Sequence, residues 1–530
     1  MLALSVVILL PLLVVFLSWL VPQYEVWSHL ADTVLWDYFS NSLLLAFSVG
    51  FGCLCLGTAT AWFIVKYEFW GRRVLQWLMI LPLAMPAYII AYTYTGLLDF
   101  AGPIQTLLRE TFNWSYGDYW FPEIRSLAGA IFVMVLVLYP YVYILARTAF
   151  SEQSKGLQEA SQSLGISSWQ YFCKVALPLA RPALLMGAAL AMMEAFADYG
   201  TVQYFGVNTF TTGIFRTWFG MGNQLAASQL AALLCTFVLV VLLLEKWSRR
   251  QIKYYQRGQD KRKIARIKLT TARSVGLFFL LIMAPVFGFL IPVGQLLYWT
   301  INFASSDLDW SFLTLVWNSF SLAAGASVLI VFIAVLYGYA QRLNPKPIMK
   351  IQVQTVSLGY AIPGTVIAVG VLVPLSWADI QLNKLTDYFW GATPGLILSG
   401  TVVALLLAYT VRFLAVALQN VETGLSRVTP SMDEAARSLG AKPNKVLWKI
   451  HFPIMRASIL SAVLLVFVDV LKELPATLIL RPFNFDTLAV SAFQFASDER
   501  LIDAAMPAIA IVFAGLFPVI LLSRALDKHA

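Results

Sequence analysis

Two pairs of acidic residues lie within strongly apolar stretches of the sequence. Glu194 and Asp198 are four residues apart, and Asp469 and Glu473 repeat that spacing in the second half of the chain. Residues at i and i+4 share one face of a helix. An acidic side chain inside a membrane costs about 2.5–3.5 kcal/mol on insertion scales and usually faces a polar pathway. The four carboxylates are therefore a candidate path for a hard cation, which would contact these oxygen ligands transiently.

The same acids also have a purely structural interpretation. Lys472 can neutralise a neighbouring acid, and the carboxylates can cap helices that begin near Gly200 and Pro475. The sequence leaves both interpretations open. It offers no nucleophile–base set and no His/Cys cluster, which argues against an enzyme, and no stably bound cofactor is predicted.

A short polar signature also occurs twice, with the same offset between its copies as between the two acidic pairs. It reads EASQSLG in the first copy and EAARSLG in the second, and a proline follows each at a matching distance. The signature positions are Glu159, Ala160, Gly165 and Pro178, then Glu434, Ala435, Ala436, Gly440 and Pro453. Residues 152–163 and 430–438 favour helix, Ser431 or Thr429 can cap the second, and each glycine can end its helix. The pattern predicts a surface helix-turn-helix suited to docking.

The elements that carry these residues are membrane spans. The chain of 530 residues is 59% hydrophobic and 12% charged, against about 25% charged in soluble domains. Apolar runs of about 20 residues, enough to cross a bilayer, recur throughout. The fold class predicted is an all-α polytopic membrane protein with about 12 spans. The predicted spans are 3–21, 39–65, 73–98, 127–149, 182–205, 224–246, 274–301, 313–340, 351–375, 392–417, 457–479 and 503–524.

The repeat extends beyond the signature. Thr212 matches Thr487 at the signature's own offset, whereas Asn41–Ser42 matches Asn318–Ser319 and Pro86 matches Pro363 at an offset that is two residues longer. An even number of spans in each half gives parallel repeats, related by a pseudo-twofold axis along the membrane normal. The predicted domains are 1–247 and 274–530, joined by a basic linker at 248–273.

The distribution of basic residues predicts the orientation. Lys66, Arg72 and Arg73 and the basic linker fall on the same side as the signature loops, which is the cytoplasmic side by the positive-inside rule. Both termini are then cytoplasmic. The net charge of +9 reflects this bias and contact with the lipid bilayer, not nucleic-acid binding. The linker is interpreted as a solvated tether near anionic headgroups, with partner binding as the alternative.

The signature resembles the E-A-A-x3-G-x9-I-x-L-P loop of permease subunits of bacterial ATP-binding-cassette importers. In the first copy Ser161 and Val175 depart from that pattern, and in the second Phe452 does. The resemblance implies that each loop engages one of two cytoplasmic ATPase subunits. This chain has no G-x-x-x-x-G-K-[ST] phosphate loop, so ATP would be used by the partners.

Two further segments, 197–220 and 472–490, are similar to the fused, two-domain ferric-iron permeases of the bacterial inner membrane. This resemblance implies ferric iron as substrate, delivered by a periplasmic or external binding protein. Thiamine, phosphonate and polyamine importers are the alternatives within the class. An autonomous secondary transporter is the alternative class, because twelve spans with parallel halves fit it too; the paired signature loop favours the importer.

Overall fold

The computed structural model describes residues 1–115, 117–250, 266–303 and 310–529, and regular structure there is almost entirely helical. The helices, in chain order, are α1 (Leu2–Leu17), α2 (Tyr24–Thr33), α3 (Leu35–Lys66), α4 (Arg72–Leu78), α5 (Ala87–Leu98), α6 (Pro103–Phe112), α7 (Leu127–Ser151), α8 (Lys155–Ser163), α9 (Ser168–Tyr171), α10 (Leu177–Ala197), α11 (Gly200–Tyr204), α12 (Phe210–Phe215), α13 (Gln224–Arg250), α14 (Thr271–Pro285), α15 (Ile291–Phe303), α16 (Trp310–Leu343), α17 (Pro347–Val356), α18 (Gly364–Trp390), α19 (Val402–Leu425), α20 (Pro430–Ser438), α21 (Pro443–Val446), α22 (Phe452–Leu471), α23 (Pro475–Leu480), α24 (Leu488–Ser497) and α25 (Leu501–His529).

Long, apolar helical stretches recur along the chain. Within the described residues, 11 such stretches, some of which join consecutive helices, are able to cross a membrane by length and composition, or 12 if a bent pair is counted as one span. The prediction of an all-α polytopic membrane protein is confirmed. The first predicted span is a helix, and its Ser5 hydroxyl lies 2.8 Å from the hydroxyl of Tyr337.

Four predicted spans are wrong as continuous helices: 73–98, 182–205, 351–375 and 457–479. The second breaks after Ala197 and the fourth after Leu471, each before a short separate helix. The chain breaks at Pro86 and at Pro363, and the first break bends the pair Arg72–Ala84 and Ala87–Phe112 by 96°. Proline lacks an amide hydrogen and pushes the preceding residue to extended backbone. Met85 is extended before Pro86. Helix α18 begins only after Pro363 and continues to Trp390, beyond the predicted end.

Contacts divide the chain into two compact units that each draw on both ends of the sequence. Unit 1 comprises Met1–Thr33, Gly213–Cys235 and Ser306–Gln494. Unit 2 comprises Val34–Thr212, Thr236–Ser305 and Phe495–Ala530. The predicted domain limits of 1–247 and 274–530 describe the sequence repeat and stay a prediction.

Each unit is built around three long helices that pack on one another. In unit 2 these are α3, α7 and α10, and in unit 1 they are α16, α19 and α22. Small residues allow the backbones to approach. At Gly187 of α10, an added Cβ would meet the Cα of Val142 in α7 at 2.7 Å, so only glycine fits there. In unit 1, α1 also packs along α18.

The repeated dipeptides Asn41–Ser42 and Asn318–Ser319 make equivalent hydrogen bonds within their own units. Each asparagine side-chain amide donates to a backbone carbonyl. Each serine hydroxyl accepts from a backbone amide, which belongs to the residue two positions after the one that supplies the carbonyl. The bonds run from Asn41 to Asn208 O (3.0 Å), from Asn318 to Asp486 O (3.4 Å), from Phe210 N to Ser42 (3.0 Å) and from Leu488 N to Ser319 (2.7 Å).

These bonds correct one detail of the sequence alignment. Asn208 and Asp486 are equivalent acceptors, and the next residues along the chain are Thr209 and Thr487. Thr487 therefore corresponds to Thr209, and the predicted match of Thr487 with Thr212 is wrong. The error arose because both Thr209 and Thr212 lie in one short Thr-rich segment.

A two-residue parallel strand pair is formed near the predicted linker, with β1 (Tyr67–Glu68) beside β2 (Ile267–Lys268). The Ser274 hydroxyl accepts a bond of 2.7 Å from the Trp70 amide nearby. This contact joins the end of the linker to the loop after α3. Residues 251–265 of the linker lie outside the described residues.

Candidate functional site

The two signature loops fold in the same way, which confirms the predicted helix-turn-helix. Loop 1 consists of α8, a tight turn and α9, followed by a π-helical turn at Phe172–Ala176 that leads into α10. Loop 2 consists of α20, a tight turn and α21, followed by a π-helical turn at Leu447–His451 that leads into α22. Pro178 and Pro453 lie in the first turn of the long helix that follows.

The tight turn depends on the two signature glycines. Gly165 has a φ of 71° and Gly440 a φ of 72°, and a Cβ at either position would touch nothing within 4 Å. The constraint is therefore the left-handed backbone itself, which disfavours residues with a side chain. The helix end is closed in both copies by an amide that reaches back five residues, from Ile166 to Ser161 and from Ala441 to Ala436.

The helix starts differ from the prediction. Thr429 does occupy the N-cap position of α20, but its hydroxyl pairs with that of Ser431 at 2.9 Å and caps no amide. Pro430, at the first helical position, sets the backbone angle that a helix requires. In loop 1, α8 begins at Lys155 rather than residue 152, and α9 begins with a capping box between Ser167 and Gln170.

The outer surface of each loop combines an acidic, a small and an apolar side chain. Glu159 and Ala160 are exposed in loop 1, as are Glu434 and Ala435 in loop 2, whereas Ala436 is buried. The leucine before each glycine is almost fully exposed, by 79% at Leu164 and 88% at Leu439. Sequence reasoning missed these leucines, although the repeat held the signal, because both copies place leucine beside the signature glycine.

Loop 2 is anchored to α16 by charged side chains. Arg342 Nε contacts Asp433 Oδ2 at 2.7 Å, and His451 Nε2 contacts Asp433 Oδ1 at 2.6 Å. Arg342 also donates to the carbonyls of Leu425 (3.0 Å) and Val428 (2.8 Å). Partial burial works to raise the pKa of Asp433, but the hydrogen bonds from His451 and Arg342 and their charges outweigh it. The net effect holds the pKa of that carboxyl below its usual range.

Loop 1 is anchored by aromatic rings around a buried lysine. The Lys66 ammonium lies 5.6 Å from the centre of the Trp62 ring and 5.0 Å from that of Tyr171. Trp62 also packs against Phe172 of the π-helical turn, with ring centres 4.8 Å apart, and against Phe150 at 5.3 Å. Such stacked and cation–π contacts gain strength when they are shielded from water.

An amide completes the anchor of loop 1. Gln153 donates to the Ala176 carbonyl at 3.0 Å and accepts from the Tyr171 hydroxyl at 3.3 Å. Both contacts are buried. Gln153 thus joins the residues before α8 to the π-helical turn after α9, across the base of the loop.

Asp198, of the first acidic pair, caps a helix. It lies between α10 and α11 and accepts the amides of Thr201 (2.9 Å) and Val202 (3.2 Å) and the Thr201 hydroxyl (3.0 Å). The predicted cap near Gly200 is confirmed. Glu194 lies one turn earlier in α10 and is half-buried.

In the second pair, Glu473 is buried and accepts the Ala476 amide at 3.2 Å, which confirms the predicted cap near Pro475. It also pairs with Arg412 of α19 at 3.4 Å. Asp469 pairs with Lys472 at 2.8 Å, as the structural interpretation predicts. Arg412 was missed by sequence reasoning, because its position in the first copy is occupied by the apolar Val137.

The two acidic pairs belong to different compact units, Glu194 and Asp198 to unit 2 and Asp469 and Glu473 to unit 1. In the described part of the chain, no three His, Cys, Asp or Glu side chains form a group able to hold a metal ion. Transient passage of a cation along the four carboxylates stays a prediction.

A charged cluster lies at the end of α7 opposite loop 1. Arg125 pairs with both oxygens of Glu499, at 2.6 and 2.8 Å, and with Asp99 at 3.5 Å. The hydrogen bonds and charge of Arg125 lower the pKa of Glu499 against a smaller effect of burial. Beside this cluster is a cavity of about 450 Å³ lined by residues that include Asp99, Tyr119 and Glu123. Helix α7 separates the cluster from loop 1 by about 37 Å, at 1.5 Å per residue over its 25 residues.

Comparison of the sequence with known protein families identifies the family to which the signature loops and the repeated spans belong. The family model for the binding-protein-dependent transport system inner membrane component matches this chain twice, over residues 53–253 and 353–529. The chain belongs to this family. It is a multi-pass inner-membrane protein with two permease domains fused in one chain.

Individual relatives agree with this assignment. The chain is 26% identical to the Fe(3+)-transport system permease protein FbpB 2 of Haemophilus influenzae, over 92% of this chain and 90% of the relative. It is 23% identical to a putative ferric transport system permease protein of the same organism, over 87% and 72%. A molybdenum transport system permease protein, ModB of Haemophilus influenzae, is 28% identical but covers 41% of this chain and 95% of the relative.

Proposed function

We propose that this protein is the membrane permease of an ATP-driven importer. Two ATP-binding-cassette ATPase subunits dock on its loops 1 and 2 and supply the energy. The observation that carries the proposal is the pair of loops, which share a helix, a glycine turn, a short helix and a π-helical turn. Membership of a binding-protein-dependent transport family supports it, because that description makes the chain the inner-membrane component of a larger transport system.

Docking uses the outer surface of each loop. The exposed leucines Leu164 and Leu439 supply apolar area to a groove on the partner, and the exposed glutamates Glu159 and Glu434 accept hydrogen bonds at its edge. Burying one leucine contributes about 1.5–3 kcal/mol to association. Leucine thus supplies affinity and glutamate supplies orientation.

The proposed substrate is ferric iron, passed to the permease by an external binding protein. The support is coverage: relatives named for ferric transport match both halves of the chain, whereas the molybdenum permease matches about two-fifths of it. Thiamine, phosphonate and polyamine remain the alternative substrates of the same class. With the loops in the cytoplasm, both termini are cytoplasmic, and the Arg125 cluster lies on the external side where the binding protein arrives.

The four acidic residues form the proposed ion path, and the two pairs differ in their neighbours. Glu473 faces Arg412 at 3.4 Å, whereas the position of Arg412 is an apolar Val137 in the first copy. Charge-neutralising Asp198→Asn combined with Glu473→Gln should lower iron uptake at normal protein levels, and unchanged uptake would refute the path.

Co-purification tests the docking proposal. An ATP-binding-cassette ATPase from the same cells should purify with the wild-type chain and be lost with Glu159→Lys plus Glu434→Lys, or with Leu164→Ser plus Leu439→Ser. The exposed Glu110 in α6 provides the matched control, since Glu110→Lys changes the same charge away from either loop. Transport by the purified chain without ATP would instead identify an autonomous secondary transporter.

Uptake into vesicles tests the substrate. Vesicles that contain the permease, its ATPase and its binding protein should accumulate labelled ferric iron upon ATP addition. Accumulation of thiamine, phosphonate or a polyamine in place of iron would overturn the substrate while leaving the importer class intact.

A further inference from the structure

We propose that Arg342 and Asp433 form an ionic clamp that makes α16 move with loop 2, through an ion pair that the uncharged residues at the corresponding positions of the first copy cannot form. The proposal rests on the proposed function, because docked ATPase subunits supply the motion. It assigns to Arg342 and Asp433 the role of positioning residues in energy coupling. Neither residue belongs to the repeated signature.

The geometry of Arg342 is that of a clamp and not of a single surface ion pair. Its guanidinium contacts three points of loop 2 and its approach: the Asp433 carboxylate at 2.7 Å, the Leu425 carbonyl at 3.0 Å and the Val428 carbonyl at 2.8 Å. The planar guanidinium fixes the directions of these bonds, which makes the attachment rigid. One side chain of α16 therefore holds the end of α19, the connecting turn and α20.

A second residue of α16 holds the other half of the loop. The Tyr339 hydroxyl, one turn before Arg342, donates to the Pro443 carbonyl at the start of α21 at 2.7 Å. The Tyr339 ring packs edge-on against the His451 ring, with centres 5.4 Å apart. His451 is 1% exposed and also contacts Asp433, so the Tyr339 contact is connected through His451 to the Arg342–Asp433 pair. Both helices of loop 2 are thus attached to the last turn of α16.

The far end of α16 is attached to the region of the second acidic pair. Asn318 and Ser319 bind the backbone at Asp486 and Leu488, just after α23, whose first turn Glu473 caps. From Ser319 to Arg342 the helix spans about 35 Å at 1.5 Å per residue. A rigid helix attached at both ends carries a displacement of loop 2 to the segment that follows Glu473. This is a contiguous physical connection with named contacts at each end.

Comparison with loop 1 shows that a loop of this shape folds without the Arg342–Asp433 ion pair. The positions of Arg342, Asp433 and His451 are held in the first copy by Val65, Gln158 and Ala176, which carry no charge. Loop 1 nevertheless forms the same helix-turn-helix and the same π-helical turn. The ionic clamp is therefore not needed to build such a loop, and we assign it to the transmission of movement.

The test uses the complete complex in lipid nanodiscs and vesicles, with Arg342→Gln, Asp433→Asn and the double variant. We expect the ATPase to co-purify normally and ATP hydrolysis to continue, while ions transported per ATP fall about tenfold, within the usual range of coupling energies. The double variant should be no worse than either single variant, because each one opens the same clamp. Arg342→Lys should be intermediate, since it keeps the charge but loses the bonds to both carbonyls.

The matched control is Val65→Gln, which places the same polar group at the corresponding position of α3 and should leave ions per ATP within about twofold of wild type. Equal losses of hydrolysis and uptake would overturn the clamp as a coupling device, as would additive losses in the double variant. If wild-type protein binds no ATPase, the proposed function fails instead. A clamp needed only for folding would lower the yield of complex in proportion to uptake and leave ions transported per ATP unchanged, and this result would also overturn the proposal.

Discussion

Loops 1 and 2 have the same backbone conformation but are attached to the helices beneath them by different kinds of contact. Loop 1 is held by the rings of Trp62, Tyr171 and Phe172 around Lys66, together with the amide of Gln153. Loop 2 is held by the contacts of Asp433 with Arg342 and His451. The features that match are those that face outwards, and the features that differ are those that face the helix bundle.

The similarity of the outward-facing residues and the difference of the buried ones indicate that the outer surface of the loops constrains the sequence. The glutamate, the exposed leucine and the left-handed glycine recur in both copies, and the proposed docking explains this by two copies of one partner that meet the same surface. The contacts beneath differ between the copies, and both aromatic packing in loop 1 and ionic bonds in loop 2 hold the loop in place. The predictions that follow compare the two attachments, from the largest expected change in stability to the smallest.

The largest effect should come from loop 1, through Trp62→Ala. This ring is 8% exposed and contacts Lys66, Phe150, Tyr171 and Phe172. Its loss should destabilise the protein by about 3–5 kcal/mol, as for other buried aromatic truncations. The measurement is the unfolding midpoint in detergent. Trp448→Ala in loop 2 is the control, because that ring is 60% exposed and should shift stability by less than about 0.5 kcal/mol.

Loop 2 should respond most to Asp433→Ala, which leaves Arg342 and His451 facing each other without their acid. Removing one member of a buried ion pair costs about 3–5 kcal/mol, and partial exposure of Asp433 and Arg342 reduces the expected loss to about 2 kcal/mol. The corresponding Gln158→Ala in loop 1 should cost less than about 1 kcal/mol. Equal losses in the same unfolding assay would mean that the two attachments do not differ as described.

The glycine turns should behave alike in both copies. Gly165→Ala and Gly440→Ala each place a side chain on a left-handed backbone with free space around it, so the penalty is conformational, about 1 kcal/mol. Limited proteolysis of each loop gives the local stability. A difference of more than about 1 kcal/mol between the two variants would show that the turns are not equivalent.

The smallest expected effect is the change with pH in the contribution of Asp433 of loop 2 to the stability of the fold. The folded-state pKa of Asp433 lies below its usual value of about 3.9. A carboxyl with a lowered pKa stabilises the fold fully above its unfolded pKa, and that contribution is lost as pH falls through the folded pKa. As pH falls, the stability difference between wild type and Asp433→Asn should therefore be retained at about pH 5 and shrink below about pH 4. A difference that already shrinks as pH falls towards about 5 would contradict the lowered pKa.

Local patterns in the sequence were sufficient to predict the shape of the loops. Helix formers followed by a glycine predicted each helix-turn-helix, and the repeat predicted that Asn41–Ser42 and Asn318–Ser319 play equal parts. The structural interpretation of the acids was also correct in detail for Asp198, Glu473 and Lys472. In each case the partner lies within a few residues or at a repeated position.

Contacts between distant segments could not be predicted in this way. Arg342 and Asp433 are far apart in the sequence, and nothing in either local sequence identifies the other as its partner. The pairing of Arg412 with Glu473 has the same character. The sequence did hold a usable signal where the two copies differ. A charged residue whose equivalent position in the other copy is apolar indicates a contact that is specific to one half.

The π-helical turns at Phe172–Ala176 and Leu447–His451 have a consequence for the angular phase of the loops. A π-helical turn holds one residue more than an α-helical turn, and one residue of an α-helix corresponds to a rotation of about 100°. Deleting a single residue from Phe172–Ala176 would let the helix close regularly and would turn Leu164 by about that angle about the axis of α10. Because both copies carry the same extra residue, each docking surface keeps the same phase relative to its own long helix, and a deletion in one copy alone would remove that match.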